Sequence, residues 1–189
     1  MDVRGIRILT FDVVGTLIDF ETGILDCLRP VACGRTGAEL LEAFGRAEDV
    51  QARLTPRLPF TQMLEPIYLR LATELDLPRD TGQATALRES IPRWPAFPDS
   101  AAALRTLGRR FRLVALTNTD NWALEHMART LGEPFDDAVT AQDAGTNKPD
   151  PQVFAYCRGR QSVHGYTLPD YLHIAQSQYH DIGVATALG

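Results

Sequence analysis

The segment Ile6-Arg-Ile-Leu-Thr-Phe-Asp-Val-Val-Gly-Thr-Leu-Ile-Asp19 gives the first indication of how this chain folds. It begins with a short, mostly apolar run, which is typical of a strand buried in a parallel sheet. The run ends at Asp12, and Gly15 then permits a sharp turn. Open α/β sheets place their ligands at the carboxyl ends of strands, so Asp12 lies where a reactive group is expected. A carboxylate there can act as a nucleophile, and Thr16 brings a hydroxyl close to it.

The composition favours one domain, alone or with an inserted module. The chain has 189 residues, of which 44% are apolar, enough for a sizeable core. A net charge of −5 without a basic cluster argues against a nucleic-acid partner. No apolar run reaches the roughly 18 residues of a membrane span, and the charged start is unlike a signal peptide. Cys27, Cys33 and Cys157 lack CxxC spacing, so we expect reduced thiols and a cytoplasmic protein.

The region that follows Asp19 is predicted to be helical. Segments 37–52 and 61–75 have apolar residues at helical spacing, and further helices are expected at 20–29 and 81–90. An insertion directly after a nucleophile strand can form a cap that closes over the site and excludes water. It can equally be a helical subdomain without such a role. We divide the chain into a core of residues 1–19 and 96–189 and a helical cap of residues 20–95.

The rest of the chain alternates strands and helices. Three further strands are predicted at 111–116, 135–141 and 171–175. The order of elements implies right-handed crossovers and an α/β fold with a Rossmann-like, doubly wound parallel sheet.

Polar clusters follow each predicted strand or its loop. They are Asp12 with Thr16, Thr117 with Asn118, Lys148, and the segment from Ser177 to Asp181. A common sheet would bring all four to one edge.

Four clusters in this order resemble the haloacid dehalogenase superfamily. The resemblance rests on Phe11-Asp-Val-Val-Gly-Thr-Leu-Ile-Asp19, on Thr117 after the second strand, on Lys148-Pro149, and on the acidic segment after the last core strand. It implies that Asp12 is the nucleophile and that residues 20–95 form the cap. Members of the superfamily usually carry one more strand and helix, so we expect either that these C-terminal elements are missing here or that this member is short.

Two departures from the superfamily pattern indicate the chemistry. Phosphatases of the superfamily carry a second Asp where this chain has Val14, and a Mg²⁺-binding Asp where it has Gln176. Mg²⁺ prefers anionic oxygen ligands, and an alkoxide leaving group needs a proton. A halide leaves as a stable anion. The resemblance is therefore closest to the L-2-haloacid dehalogenase branch, which uses no metal or other cofactor and acts on small molecules.

This branch implies a role for each candidate residue. Asp12 would form an ester with the substrate, Thr16 would steady it, Lys148 would neutralise the charge around it, and Asp181 would activate water. The implied substrate-binding residues are Thr117, Asn118, Ser177, Gln178 and Arg46. Arg46 is the nearest candidate for the cap arginine that cradles the halide. Relatives are often homodimers, which gives a possible partner in a second copy.

Several alternatives stay open from the sequence alone. Thr117, Asn118 or Asp120 could simply cap the following helix, and Asp181 could be an ordinary helix N-terminal acid. His180 is a second candidate base. At the level of function, the alternatives are a phosphatase with an atypical Mg²⁺ site and a non-catalytic binding protein. The second is suggested by Val14, Gln176 and Phe154 at positions where the family has functional side chains.

Overall fold

The computed structural model describes residues 4–189 and has an α/β fold. Four strands form one parallel sheet in the order β3-β2-β1-β4. Their bounds are β1 Ile8–Phe11, β2 Arg112–Thr117, β3 Asp137–Thr140 and β4 Tyr171–Ile174. The chain steps from β1 to β2 to β3 and then crosses to β4 on the other side of β1. Such a reversal of direction is where open α/β sheets form their ligand crevice.

Nine α-helices accompany the sheet in the described residues. They are α1 Phe20–Leu28, α2 Gly37–Leu54, α3 Phe60–Leu75, α4 Thr81–Glu89, α5 Ser100–Leu107, α6 Asn121–Thr130, α7 Ala141–Ala144, α8 Pro151–Ser162 and α9 Gly183–Leu188. A π-helical turn, Gln178–Ile182, precedes α9. The predicted helices and strands are present, with ends that differ by a few residues. None of the helices within residues 4–189 is long and apolar enough to cross a membrane.

Alternate residues of the central strands pack into two separate apolar clusters. Leu9 and Phe11 face a cluster shared with helices α1 to α6, whereas Ile8 faces one shared with α8 and α9. Strand residues alternate between the two faces of a sheet, so helices cover both faces of this one. The doubly wound arrangement predicted from the order of elements is confirmed.

The helical region from α1 to α4 leaves and rejoins the sheet at neighbouring points. The backbone N–H of Asp19 donates to Pro95 O at 2.8 Å, and that of Phe97 donates to Leu17 O at 3.0 Å. Trp94 is 1% exposed and packs against α1 where Gly23 allows close approach, since a Cβ there would lie 2.2 Å from the indole. This anchoring places α1 to α4 above the carboxyl end of β1.

Candidate active site

A buried cluster of charges lies at the carboxyl ends of β1, β2 and β4. Lys148, which is 2% exposed, points its ammonium group at three acceptors. Its Nζ donates to Asp12 Oδ1 at 2.9 Å, to Asp181 Oδ1 at 2.5 Å and to the carbonyl of Leu116 at 2.8 Å. All three ammonium hydrogens are therefore used. One buried ammonium group thus pairs with two buried carboxylates, which need further hydrogen-bond donors because burial of charge is costly.

The turn after β1 orients Asp12. Gly15 has a φ of 84°, a left-handed conformation that glycine adopts without strain, and it turns the chain so that Thr16 faces back toward the acid. Thr16 Oγ1 donates to Asp12 Oδ2 at 2.7 Å and accepts from the backbone N–H of Gln176 at 2.9 Å. Each carboxylate oxygen of Asp12 thus holds one donor and keeps acceptor capacity for a second contact.

Asn118 fastens the loop that carries Lys148. Its Oδ1 accepts from the backbone N–H of Lys148 at 2.7 Å, and its Nδ2 donates to the carbonyl of Lys148 at 3.0 Å. The peptide bond between Lys148 and Pro149 is cis. Helix α6 is capped by Asp120, whose Oδ1 accepts from Ala123 N at 2.9 Å, so the alternative that Asn118 is the helix cap is excluded.

Asp181 is 1% exposed and contacts a histidine that sequence analysis did not select. His173 Nε2 lies 2.9 Å from Asp181 Oδ1, and His173 Nδ1 lies 2.8 Å from Thr10 Oγ1. Burial alone would raise the pKa of Asp181. The hydrogen bond from His173 and the charge of Lys148 outweigh burial, so this pKa lies below its ordinary value. The sequence signal that could have identified this histidine is the presence of one polar residue in each of two otherwise apolar strands.

A cleft of about 690 Å³ opens above this cluster. The residues predicted from the sequence that line the sheet side of this cleft are Asp12, Thr117, Asn118, Lys148, Ser177 and Asp181. The helical side contributes residues from α1, α2 and α3, among them Phe20, Glu48, Asp49, Arg53, Phe60 and Met63. Val14 and Gln176 also line it. A pocket of this volume suits a small organic molecule.

Three predicted residues stand apart from the wall of the cleft. Thr16 acts on Asp12 from behind the wall, and Gln178 begins the π-helical turn without lining the cleft. Arg46 lies outside it, because its guanidinium bonds to Glu74 of α3 at 2.5 Å and pairs with Glu42. The structure therefore does not place Arg46 in the cleft. The cleft-lining arginine of α2 is Arg53.

Two further groups that line the cleft have shifted pKa values. Burial, and to a smaller degree the neighbouring charge of Asp49, raises the pKa of Glu48 to about 7. Burial lowers the pKa of His180. His180 also donates its backbone N–H to Ser177 Oγ at 3.0 Å, so this serine caps the π-helical turn.

The described part of the chain contains no cluster of three or more His, Cys, Asp or Glu side chains arranged to hold a metal ion. Asp12 and Asp181, the acids closest to the cleft floor, are already bridged by the ammonium group of Lys148. The charge that a cation would supply between these acids is thus provided by a lysine.

A model of haloacid dehalogenase-like hydrolases matches residues 6–165. The chain therefore belongs to the haloacid dehalogenase-like hydrolase family. It is 26% identical to (S)-2-haloacid dehalogenase 1 of Pseudomonas sp. (strain CBS-3), over 97% of this chain and 82% of that protein. It is 24% identical to (S)-2-haloacid dehalogenase 4A of Burkholderia cepacia, over 99% and 81%.

Solved structures share the fold. The L-2-haloacid dehalogenase of Xanthobacter autotrophicus with chloropropionic acid covalently bound aligns with a TM-score of 0.82 at 20% identity, covering 97% of this chain and 75% of that one. The magnesium-bound HAD-hydrolase YfnB of Bacillus subtilis aligns with a TM-score of 0.83 at 19% identity, covering 98% and 86%. Because both kinds of protein share the architecture, the reaction has to be argued from the side chains.

Proposed function

We propose that this protein is a metal-independent hydrolase that cleaves the carbon–halogen bond of a short 2-haloacid through an ester on Asp12. The observation that carries the proposal is the pairing of Asp12 with Lys148 in a cleft where the neighbouring wall residue is Val14. An apolar side chain there cannot protonate a leaving group. The relatives named as (S)-2-haloacid dehalogenases support the same reaction class.

In the first step, a carboxylate oxygen of Asp12 attacks the carbon that bears the halogen. A C–O bond forms, the C–X bond breaks, and its electron pair leaves with the halide. The carboxylate of the substrate needs donors, and Thr117 supplies one candidate. Its Oγ1 is buried and has no hydrogen-bond partner within residues 4–189, although an unpaired buried hydroxyl is costly.

In the second step, water attacks the carbonyl carbon of the Asp12 ester. Asp181 accepts a proton from this water, and Lys148, next to Asp12 Oδ1, stabilises the negative charge that develops there. The tetrahedral intermediate then collapses: its C–O bond to the substrate breaks, and the proton of its remaining hydroxyl passes to the departing alkoxide oxygen, which gives the carboxylate of Asp12 and a 2-hydroxy acid. The proton on Asp181 then passes to solvent, so the net reaction consumes one water and yields halide, hydroxy acid and a proton.

Residues 20–95 are proposed to act as the cap over this reaction. The contacts that join them to the core around the cleft include Phe60 N to Asn118 O at 2.7 Å, Asn147 Nδ2 to Leu58 O at 2.8 Å, and Arg88 to Asp120 at 3.3 Å. Apolar side chains on the helical side would exclude water during the displacement. Residues 1–3 of the assigned core lie outside the described part. A homodimer and a cytoplasmic location stay predictions.

The proposal is tested by halide release from L-2-chloropropionate and chloroacetate in the presence of a chelator. We expect wild type to release halide and Asp12→Asn to lose at least about 10³-fold in kcat, since the amide is a poor nucleophile. The matched control is Asp26→Asn on the exposed face of α1, which should retain activity.

Isotope labelling checks the ester directly. After a single turnover in ¹⁸O-water, the peptide containing Asp12 should gain one ¹⁸O, because water attacks the carboxyl carbon of the aspartate. Label appearing only in the hydroxy acid would contradict the ester. Magnesium-dependent phosphate release from an aryl phosphate, without halide release, would favour the phosphatase alternative.

A further inference from the structure

A chain of hydrogen bonds connects the interior of the sheet to Asp181. Thr10 of β1 and His173 of β4 are paired in register, and their side chains meet at 2.8 Å between Oγ1 and Nδ1. The other ring nitrogen, Nε2, lies 2.9 Å from Asp181 Oδ1. The side chain of His173 is 7% exposed, so water does not compete freely for either contact.

We propose that His173 is a positioning residue, which holds Asp181 ionised and turned so that its free oxygen, Oδ2, is available to the water that hydrolyses the ester. This inference deepens the proposed function and rests on it. The geometry is asymmetric: Lys148 and His173 both bond to Oδ1, whereas Oδ2 has no hydrogen-bond partner among the residues that the structure describes. Asp181 itself lines the cleft.

The charge balance explains why a second donor is needed. Asp12 and Asp181 share a single ammonium group, that of Lys148, so the buried trio carries an excess negative charge. A carboxylate in that situation tends to take up a proton and would then no longer accept one from water. The N–H of His173 offsets this tendency. The lowered pKa of Asp181, with the His173 hydrogen bond as its strongest lowering cause, is consistent with this.

Thr10 fixes the orientation of the imidazole. Because Asp181 is an acceptor, Nε2 must carry a hydrogen, and the hydroxyl of Thr10 can rotate to donate to a neutral Nδ1 or to accept from a protonated one. The ring is also held by the edge of Phe154, with centroids 5.3 Å apart. The imidazole therefore stays in place in either charge state.

The other ionisable groups around this pair are few. Asp181 is faced by Lys148 from its loop, by Asp12 from β1 and by His180 from the π-helical turn. Around His173, a small cavity of about 80 Å³ is also lined by Cys157 and Arg158 of α8 and by Tyr171 of β4. The pKa values of Cys157 and Tyr171 are each raised to about 12, so neither titrates near neutral pH.

The first experiment measures the ionisation of Asp181 without using activity. In a carboxyl ¹³C titration, we expect His173→Phe to raise the pKa of Asp181 by about one to two units, the size of one lost hydrogen bond to a charged group. His173→Gln keeps an N–H at the ε position and should restore most of the shift. The ammonium signal of Lys148, the sole lysine of the chain, is a second reporter of the same titration.

The second experiment measures halide release against pH. With His173→Phe, the acid limb of kcat should move to higher pH by the same one to two units, and kcat and KM should fall together. The ratio kcat/KM should change little, because halide displacement precedes the ester hydrolysis that is affected. His164→Phe, at an exposed histidine after α8, is the matched control and should leave the profile unchanged. Thr10→Val, which removes only the Nδ1 partner, should give a smaller shift in the same direction.

Each outcome decides one question. An unchanged pKa of Asp181 in His173→Phe and Thr10→Val, or equal shifts in His173→Phe and His173→Gln, would overturn the positioning role. A shifted pKa in a protein that releases no halide would support the coupling of His173 to Asp181 and contradict the proposed function instead. If His173→Phe does not fold, Thr10→Val and His173→Gln still give the comparison.

Discussion

The two walls of the cleft differ in how their charged groups are held. On the sheet side, Asp12, Lys148 and Asp181 are joined by direct hydrogen bonds of 2.5 to 2.9 Å. On the helical side, the side chains of Glu48 and Arg53 of α2 line the same cleft but make no hydrogen bond or ion pair within residues 4–189. One wall is fixed before substrate arrives, and the other can adapt to it.

This difference between the walls separates the groups that act in the reaction from the groups that discriminate among substrates. Groups that stabilise developing charge work best when they are already oriented and dry, because no reorganisation is then needed during the reaction. Groups that choose among substrates can be exposed and mobile, since they act through differences in binding. We therefore expect substitutions on the sheet wall to change stability and kcat, and those on the helical wall to change KM.

The largest effect is expected for Lys148→Met. The methionine keeps the length of the stem but leaves Asp12 and Asp181 buried without a cation. We expect the free energy of unfolding at about pH 7 to fall by about 3–5 kcal/mol, together with loss of halide release. Urea denaturation measures the first effect.

The pH dependence of this loss has a definite sign. Lys148 helps to depress the folded-state pKa of Asp181, so its stabilisation is present above the unfolded value of about 3.9 and is lost as pH falls through the folded pKa. The deficit of Lys148→Met should therefore persist down to about pH 4 and shrink as pH falls below that value. Arg53→Met on the opposite wall should cost less than about 0.5 kcal/mol. Equal losses in both variants would remove the contrast between the walls.

A smaller effect is expected for Arg53→Ala. The exposed guanidinium can contact the carboxylate of the substrate, and contacts between exposed charges are worth up to about 1 kcal/mol, which corresponds to about fivefold in KM. Arg46→Ala should leave KM unchanged, because Arg46 is engaged by Glu74 outside the cleft. Steady-state kinetics with L-2-chloropropionate measures both. An unchanged KM in Arg53→Ala together with a raised KM in Arg46→Ala would instead support the halide-binding role that the sequence predicts for Arg46.

The smallest effect is expected for Glu48→Gln. With a pKa of about 7, Glu48 is mostly neutral below that pH and charged above it, so the KM of wild type for an anionic haloacid should rise by about threefold between about pH 6 and pH 8. The amide should give a flat profile. The pKa of His180 is lowered, which places its titration at more acidic pH than this step. A KM that rises equally in both proteins would assign the dependence to another group.

Much of the core could be predicted from local sequence. The apolar run before Asp12 predicted a buried strand that ends at an acid, and the alternation of helices and strands predicted a doubly wound parallel sheet. The spacing of apolar residues and the turns between elements depend on residues that are neighbours in the chain, so both can be predicted without knowing the fold. Lys148 was selected through the family resemblance of Lys148-Pro149, since local sequence alone would suggest an exposed loop charge, and the structure places it against Asp12.

The sequence by itself determined the sheet, the helical insertion and the strand ends that converge on the cleft. Only the tertiary structure decided which arginine of α2 faces that cleft, that Asn118 bonds to the Lys148 backbone, and that His173 contacts Asp181. The physical reason is that each of these choices depends on a partner far away in the chain. Glu74 binds the guanidinium of Arg46 outside the cleft, and Thr10 bonds to the imidazole of His173. A local pattern tells which residues can bond, but packing determines which of them meet.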